Sequence, residues 1–83
     1  MARWTVKVSW SAGPAPVRDL DYAYSFVLRS NDGRQTKTTV EFATGRGGSA
    51  LQAHEVLAPY LDQDMPPRRL VVDPAGNVSA EDA

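Results

Sequence analysis

The first part of the chain alternates between apolar and polar residues. From residue 3 to residue 10 the apolar set is Trp4, Val6, Val8 and Trp10, and polar residues stand between them. Successive side chains of a strand point to opposite faces of a sheet, so the pattern predicts a half-buried strand with these four residues on one side. Residues 11–21 follow with one glycine and two prolines, and they predict a long loop.

The same alternation returns in two segments that a short turn separates. A two-residue turn would place Phe26 opposite the polar set of the second segment. A three-residue loop of Asn31, Asp32 and Gly33 instead pairs Phe26 with Thr38, so that the two apolar sets share one face. The register therefore predicts a β-hairpin with Gly33 in the left-handed region, which a residue without a side chain adopts at little cost.

A helix is predicted after the hairpin. Ser49 precedes Gln52 by three residues, which is the pattern of a capping box. Apolar residues then recur at helical spacing: Ala50, Ala53, Leu57, Tyr60 and Leu61. Pro59 leaves two alternatives, because it either ends the helix near Ala58 or kinks it and lets it continue to about residue 62.

The last third of the chain predicts one more strand and a turn. Residues 70–72 form a short apolar run typical of a strand buried on both faces, and residues 73–76 carry the chemistry of a type I turn that ends in glycine. The expected class is α+β, a mostly antiparallel sheet of four strands, or five if the end pairs, with one helix on one face in the order β-β-β-α-β(-β). We expect one domain over residues 1–79 and a disordered tail over 80–83.

Composition and charge limit the classes of function. The chain has 83 residues, a net charge of -1 and no cysteine, so thiolate chemistry is excluded. No apolar run approaches the roughly 20 residues that cross a bilayer, and we expect a cytoplasmic protein without membrane contact. The excess of arginine over lysine is typical of a GC-rich bacterial genome. His54 stands without a second histidine, and no nucleophile motif surrounds Ser49, so we expect no catalytic residue, cofactor or metal site.

A glycine-rich turn before the helix is the first candidate for binding. Residues 45–50 match G-x-G-x-x-A, and free N–H groups at a helix start favour anions. The preceding strand alternates, however, whereas a dinucleotide site follows a strand that is buried on both faces. An ordinary turn with a normal cap is the favoured interpretation, with a bound phosphate as the alternative at Arg46, Gly47, Gly48 and Ser49.

The polar side of the predicted sheet is the second candidate. Four basic residues, Arg3, Lys7, Arg29 and Lys37, share this side with only one acidic residue, Glu41. Such a set either keeps a solvated face soluble or meets an acidic partner. Single-stranded nucleic acid usually needs aromatic stacking platforms, which this set lacks, so nucleic acid is the less favoured partner.

Aromatic residues beyond the reach of a short helix form the third candidate. A helix of about 10 to 13 residues spans roughly 15 to 20 Å, too little to cover the whole apolar side of the sheet. The candidate interface is Trp4, Trp10, Tyr22, Pro14 and Val17, although packing in the core is the favoured role for each of the aromatic residues. The leading hypothesis is a non-enzymatic protein-interaction module that binds a partner protein or a second copy as a homodimer. The alternative is phosphate or nucleic-acid binding through the basic side or the glycine-rich turn.

Overall fold

The computed structural model describes residues 3–11, 20–43 and 48–81, which form one five-stranded sheet and one α-helix. The elements are β1 (Trp4–Ser11), β2 (Leu20–Ser30), β3 (Gln35–Ala43), α1 (Ala50–Leu57), a 3-10 turn (Ala58–Tyr60), β4 (Arg69–Val72) and β5 (Val78–Glu81). The strands lie in the order β1-β2-β3-β4-β5, and only the β3–β4 pair is parallel. The α+β class is confirmed, with the fifth strand present.

The β2–β3 hairpin has the predicted register. Phe26 pairs with Thr38, and the Ser30 amide donates to the Arg34 carbonyl at 2.9 Å across the loop. Gly33 has a φ of 91°, in the left-handed region that the three-residue loop requires. The residues that this pairing brings to one face form the centre of the core: Phe26, Leu28, Val40 and Phe42, none of them more than 1% exposed.

β1 does not keep one alternation along its length. Val6 pairs with Leu28, but Val8 pairs with Val27, so Lys7 is one extra residue on β1 and forms a β-bulge. Beyond the bulge, Trp10 pairs with Ser25, a position opposite in parity to Phe26 and Leu28. The uniform pairing expected for an unbroken alternation from Trp4 to Trp10 is therefore interrupted, because one inserted residue reverses the parity of the pairing.

The helix begins and ends where its caps allow. The Ser49 hydroxyl accepts from the Gln52 amide at 3.2 Å, and the Gln52 side chain accepts from the Ser49 amide at 2.8 Å, so the capping box is confirmed. α1 ends at Leu57, and Pro59 lies in the 3-10 turn that follows, which selects the alternative that ends the helix near Ala58. Ala53 and Leu57 are buried against the sheet, whereas Ala50 is exposed, contrary to its predicted place on the apolar side.

α1 connects β3 to the parallel strand β4, and the segment 61–68 runs along one end of the sheet. The Thr38 hydroxyl donates to the Pro67 carbonyl at 2.8 Å, which fixes this segment before β4. β4 lies between β3 and β5, but only Leu70 and Val72 are buried, while Arg69 and Val71 are partly exposed. Burial on both faces is therefore wrong for β4, because no element described here covers the face opposite α1.

The start of α1 approaches the core closely. The Tyr24 hydroxyl donates to the Gly48 carbonyl at 2.7 Å, and a Cβ atom at Gly48 would lie 2.6 Å from the ring of Phe42. That distance is shorter than real side-chain contacts, so this position requires glycine. The glycine before the helix thus lets the chain pass over a buried aromatic ring.

The turn between β4 and β5 is held by its first residue. The Asp73 carboxylate accepts from the amides of Ala75 and Asn77 at 3.0 and 2.8 Å, and Gly76 has a φ of 92°. This is the predicted turn, because aspartate accepts from the amides that follow it and glycine takes the left-handed position. β5 extends through Ala80 and Glu81, two residues that the sequence assigned to the tail.

Trp4 → Ala should greatly reduce stability. Trp4 is 2% exposed, and its indole N–H donates to the Gln63 carbonyl at 3.0 Å, so truncation leaves both a cavity and an unpaired acceptor. We expect the free energy of unfolding in urea to fall by about 3–5 kcal/mol. Leu51, at 69% exposure, is the control, and Leu51→Ala should change it by less than about 0.5 kcal/mol. Equal effects of the two substitutions would contradict the core position of Trp4.

The two turn aspartates should make the protein sensitive to acid. Hydrogen bonds from the Ser30 hydroxyl and from Arg34 lower the pKa of Asp32, and the Asn77 and Ala75 amides lower the pKa of Asp73. A carboxyl group whose pKa is lower in the folded state stabilises that state at pH values above the unfolded-state pKa of about 4. This stability is lost as the pH falls through the folded-state pKa. The thermal midpoint temperature should therefore fall when the pH is lowered below about 4. The fall should be smaller in Asp73→Asn than in the wild-type protein. An identical pH profile in this variant would refute the role of Asp73.

Candidate functional site

The face of the sheet opposite α1 carries the predicted basic residues. Arg3, Lys7, Arg29 and Lys37 are all exposed, and we call these four residues the basic face. Three of them line a groove of about 270 Å³ that runs beside the outer strand. Its lining residues are Arg3, Thr5, Lys7, Arg29, Ser30 and Asn31. The structure therefore brings cations of β1 and β2 together at one end of the sheet.

A second groove, of about 310 Å³, lies at Lys37. It is lined by Thr36, Lys37, Thr39, Arg68 and Arg69. Arg68 and Arg69 were not predicted to lie here, because the register of a parallel strand cannot be determined from local pattern. Arg69 on β4 pairs with Thr39, which lies two residues along β3 from Lys37. The neighbouring strand therefore adds another cation close to Lys37.

Two acidic residues described on this face, Glu41 and Glu81, both bind one arginine. Glu41 accepts from two nitrogens of Arg69, at 2.6 and 2.9 Å, and Glu81 accepts from a third at 3.2 Å. The hydrogen bond to Glu41 raises the pKa of Arg69. Glu41 was expected to lie among the basic residues as an exposed charge, but it is only 7% exposed. Its charge therefore balances Arg69 and does not neutralise the basic face.

The basic face keeps most of its charge available. Arg3 lies 3.9 Å from Asp62, and both side chains are largely exposed, so this contact is weak. Within residues 3–11, 20–43 and 48–81, Lys7, Arg29, Lys37 and Arg68 form no ion pair. Three cations of the basic face are thus without a counter-charge in the described part of the chain.

The predicted aromatic interface is not assembled by the described residues. Trp4 belongs to the core, because the segment after the 3-10 turn covers it and the Arg34 guanidinium lies 5.2 Å from the centre of its ring. Its amide also donates to the Leu61 carbonyl at 2.8 Å. Pro14 and Val17, and the side chains of Trp10 and Tyr22, lie outside the described part of the structure.

The glycine-rich turn is only partly described. Arg46 and Gly47 fall outside the described residues. The Gly48 carbonyl accepts from Tyr24, and the Ser49 amide donates to the Gln52 side chain. The Ser49 amide is thus already engaged in capping the helix, whereas the bond at Gly48 occupies its carbonyl and not the N–H group that would bind an anion.

The remaining candidates for chemistry are isolated. His54 is exposed, and its ring packs edge-on against Phe26 with 4.8 Å between the ring centres, a structural contact. Among the described residues, no three side chains of His, Cys, Asp or Glu come together as metal ligands. None of the helices in this part of the chain has the length and apolar character needed to cross a membrane.

Glu41→Gln should destabilise the fold without affecting the core. The substitution leaves the partly buried Arg69 guanidinium with a neutral acceptor in place of a carboxylate, and we expect a loss of about 1–2 kcal/mol in the free energy of unfolding. Arg69→Gln removes the partner, so in the double variant the two losses should not add. Additive losses measured by urea unfolding would show that Glu41 and Arg69 do not stabilise each other.

Comparison with protein-family models, with curated proteins and with solved structures finds no match to this chain. The positions, burial and charge of its own residues are therefore what indicate a function.

Proposed function

We propose that this protein is a small non-enzymatic binding module whose basic face docks an acidic surface of a partner protein. The observation that carries the proposal is the set of exposed cations Lys7, Arg29 and Lys37, which form no ion pair among the described residues. Opposite charges across an interface steer association and fix its orientation. A bacterial, cytoplasmic setting is part of the proposal and rests on residue usage alone.

The edges of the sheet support docking on the face. β1 carries a bulge at Lys7, and the amide of Trp4 already donates to the Leu61 carbonyl, so its outer edge is interrupted at these two positions. β5 has only four residues and ends at Glu81. Bulges, lysines and short length are the devices by which proteins prevent edge-to-edge pairing. A homodimer built by pairing these edges is accordingly the less favoured arrangement.

The charge and composition of the face favour a protein partner over nucleic acid. Neutralised phosphates supply most of a protein's non-specific affinity for DNA, so a protein with about 6–10 phosphate contacts has more of this term than the four residues of the basic face can provide. The side chains described between its cations are those of threonine, serine and valine, which offer no stacking platform.

A glutamate homopolymer tests the proposed docking. We expect labelled poly-glutamate to bind at low ionic strength, and Arg29→Gln or Lys37→Gln to weaken binding about 2- to 5-fold, the effect of one exposed ion pair. Leu51→Glu is the matched control, because it changes the net charge by the same amount on the opposite, helical side of the sheet. Fluorescence anisotropy over a salt series gives the dissociation constants.

Three results would contradict the proposal. One is the absence of binding at low salt. Another is equal weakening by Leu51→Glu and Lys37→Gln, because net charge and not the basic face would then control binding. The third is tighter binding of a single-stranded oligonucleotide of equal charge, which would favour nucleic acid as the partner.

A further inference from the structure

The basic residues form a row that crosses the sheet diagonally. The Asn31 amide bonds to the Arg3 carbonyl, and Asn31 lies two residues beyond Arg29 on β2. Lys37 pairs with Val27, which lies two residues before Arg29. Each step along the row thus moves one strand across the sheet and two residues along it. The same step leads from Lys37 on β3 to Arg69 on β4, because Arg69 pairs with Thr39.

The row has a regular spacing. Diagonal neighbours of this kind on adjacent strands lie about 7–8 Å apart. In an extended peptide, side chains on the same side recur every two residues, or about 6.6–6.8 Å. The two repeats agree within the reach of flexible arginine and lysine side chains. Carboxylates at alternate positions of an extended segment can therefore meet successive cations of the row.

The row is open at one end and neutralised at the other. Arg3, Arg29 and Lys37 are exposed, and only Arg3 has a counter-charge among the described residues, in its long contact with Asp62. Arg69 is bound by Glu41 and Glu81, and these carboxylates repel further acidic residues at that end. Three cations of the row are thus available for binding, and they can meet three acidic residues of an extended partner.

We propose that this diagonal row binds an extended acidic segment of a partner protein, with acidic residues at alternate positions and its chain lying across the strands. Opposite charge favours an acidic partner, and the spacing of the cations favours a partner whose acidic residues stand at alternate positions. Lys7 lies in the same groove as Arg3 and Arg29 and adds positive charge beside the row. The inference rests on the proposed function and specifies the form of the partner.

Two peptides of identical composition test the spacing. In one, three glutamates alternate with threonines; in the other, the three glutamates are consecutive and the threonines flank them. Consecutive glutamates of an extended chain point to opposite sides, so the second peptide presents fewer carboxylates to the row. We expect the alternating peptide to bind the wild-type protein about 2- to 5-fold more tightly, by anisotropy at low ionic strength.

Variants separate this inference from the proposed function. Arg29→Gln removes the middle cation and should abolish the preference for the alternating peptide, whereas Leu51→Glu should retain it. Equal binding of both peptides, with both weakened by Arg29→Gln, would overturn the spacing and leave the proposed function standing. Failure of both peptides to bind would overturn both proposals. Tighter binding of a single-stranded oligonucleotide than of either peptide would assign the row to phosphates and overturn the acidic segment.

Discussion

The register of the β2–β3 hairpin is the constraint on which the rest of the molecule depends. Gly33 closes the loop in a left-handed conformation, and the resulting pairing brings Phe26 opposite Thr38. A slip of one residue would exchange the two faces of one strand and expose half of the core. The same pairing sends Arg29 and Lys37 to the opposite face. The core and the candidate site are therefore two consequences of one loop.

The single helix explains why the two faces differ so strongly. α1 and the segment 61–68 cover the apolar face, where Trp4, Leu57 and Leu70 are at most 2% exposed. Among the described residues no second α-helix covers the opposite face of the sheet, so the residues on that face must be compatible with water. Charged side chains meet this need, and they form the surface that we propose for recognition. The bulge at Lys7 also protects the domain from association, because it interrupts a long outer strand that could otherwise pair with another chain.

Local chemistry made much of this fold predictable from the sequence. The hairpin loop, the capping box at Ser49 and the turn at Asp73 each depend on residues within a few positions of one another. The bulge at Lys7 was not predictable, because apolar alternation continues unchanged through it in the sequence. Trp4 stayed a candidate for an interface beside its favoured role in the core, because its cover comes from residues 61–63, remote in sequence and close in space.

The candidate site shows the same division between local and remote information. Alternation along single strands was enough to place Arg3, Arg29 and Lys37 on one side of the sheet. The pairing of Glu41 with Arg69 depends on the parallel register of β4, which no local pattern encodes. Local alternation is therefore enough to predict which cations share a side of the sheet, but not which acidic residue is neutralised or where the row of cations ends.

An NMR titration of the isotope-labelled protein with poly-glutamate tests the central claim most directly, because it locates the bound surface residue by residue. If poly-glutamate binds the basic face, the largest changes in chemical shift fall on the amides of Thr5, Arg29 and Lys37, while the amides of α1 and β5 change little. Shifts concentrated on α1, or spread evenly over the chain, would contradict the claim that the hairpin register builds a binding face opposite the core.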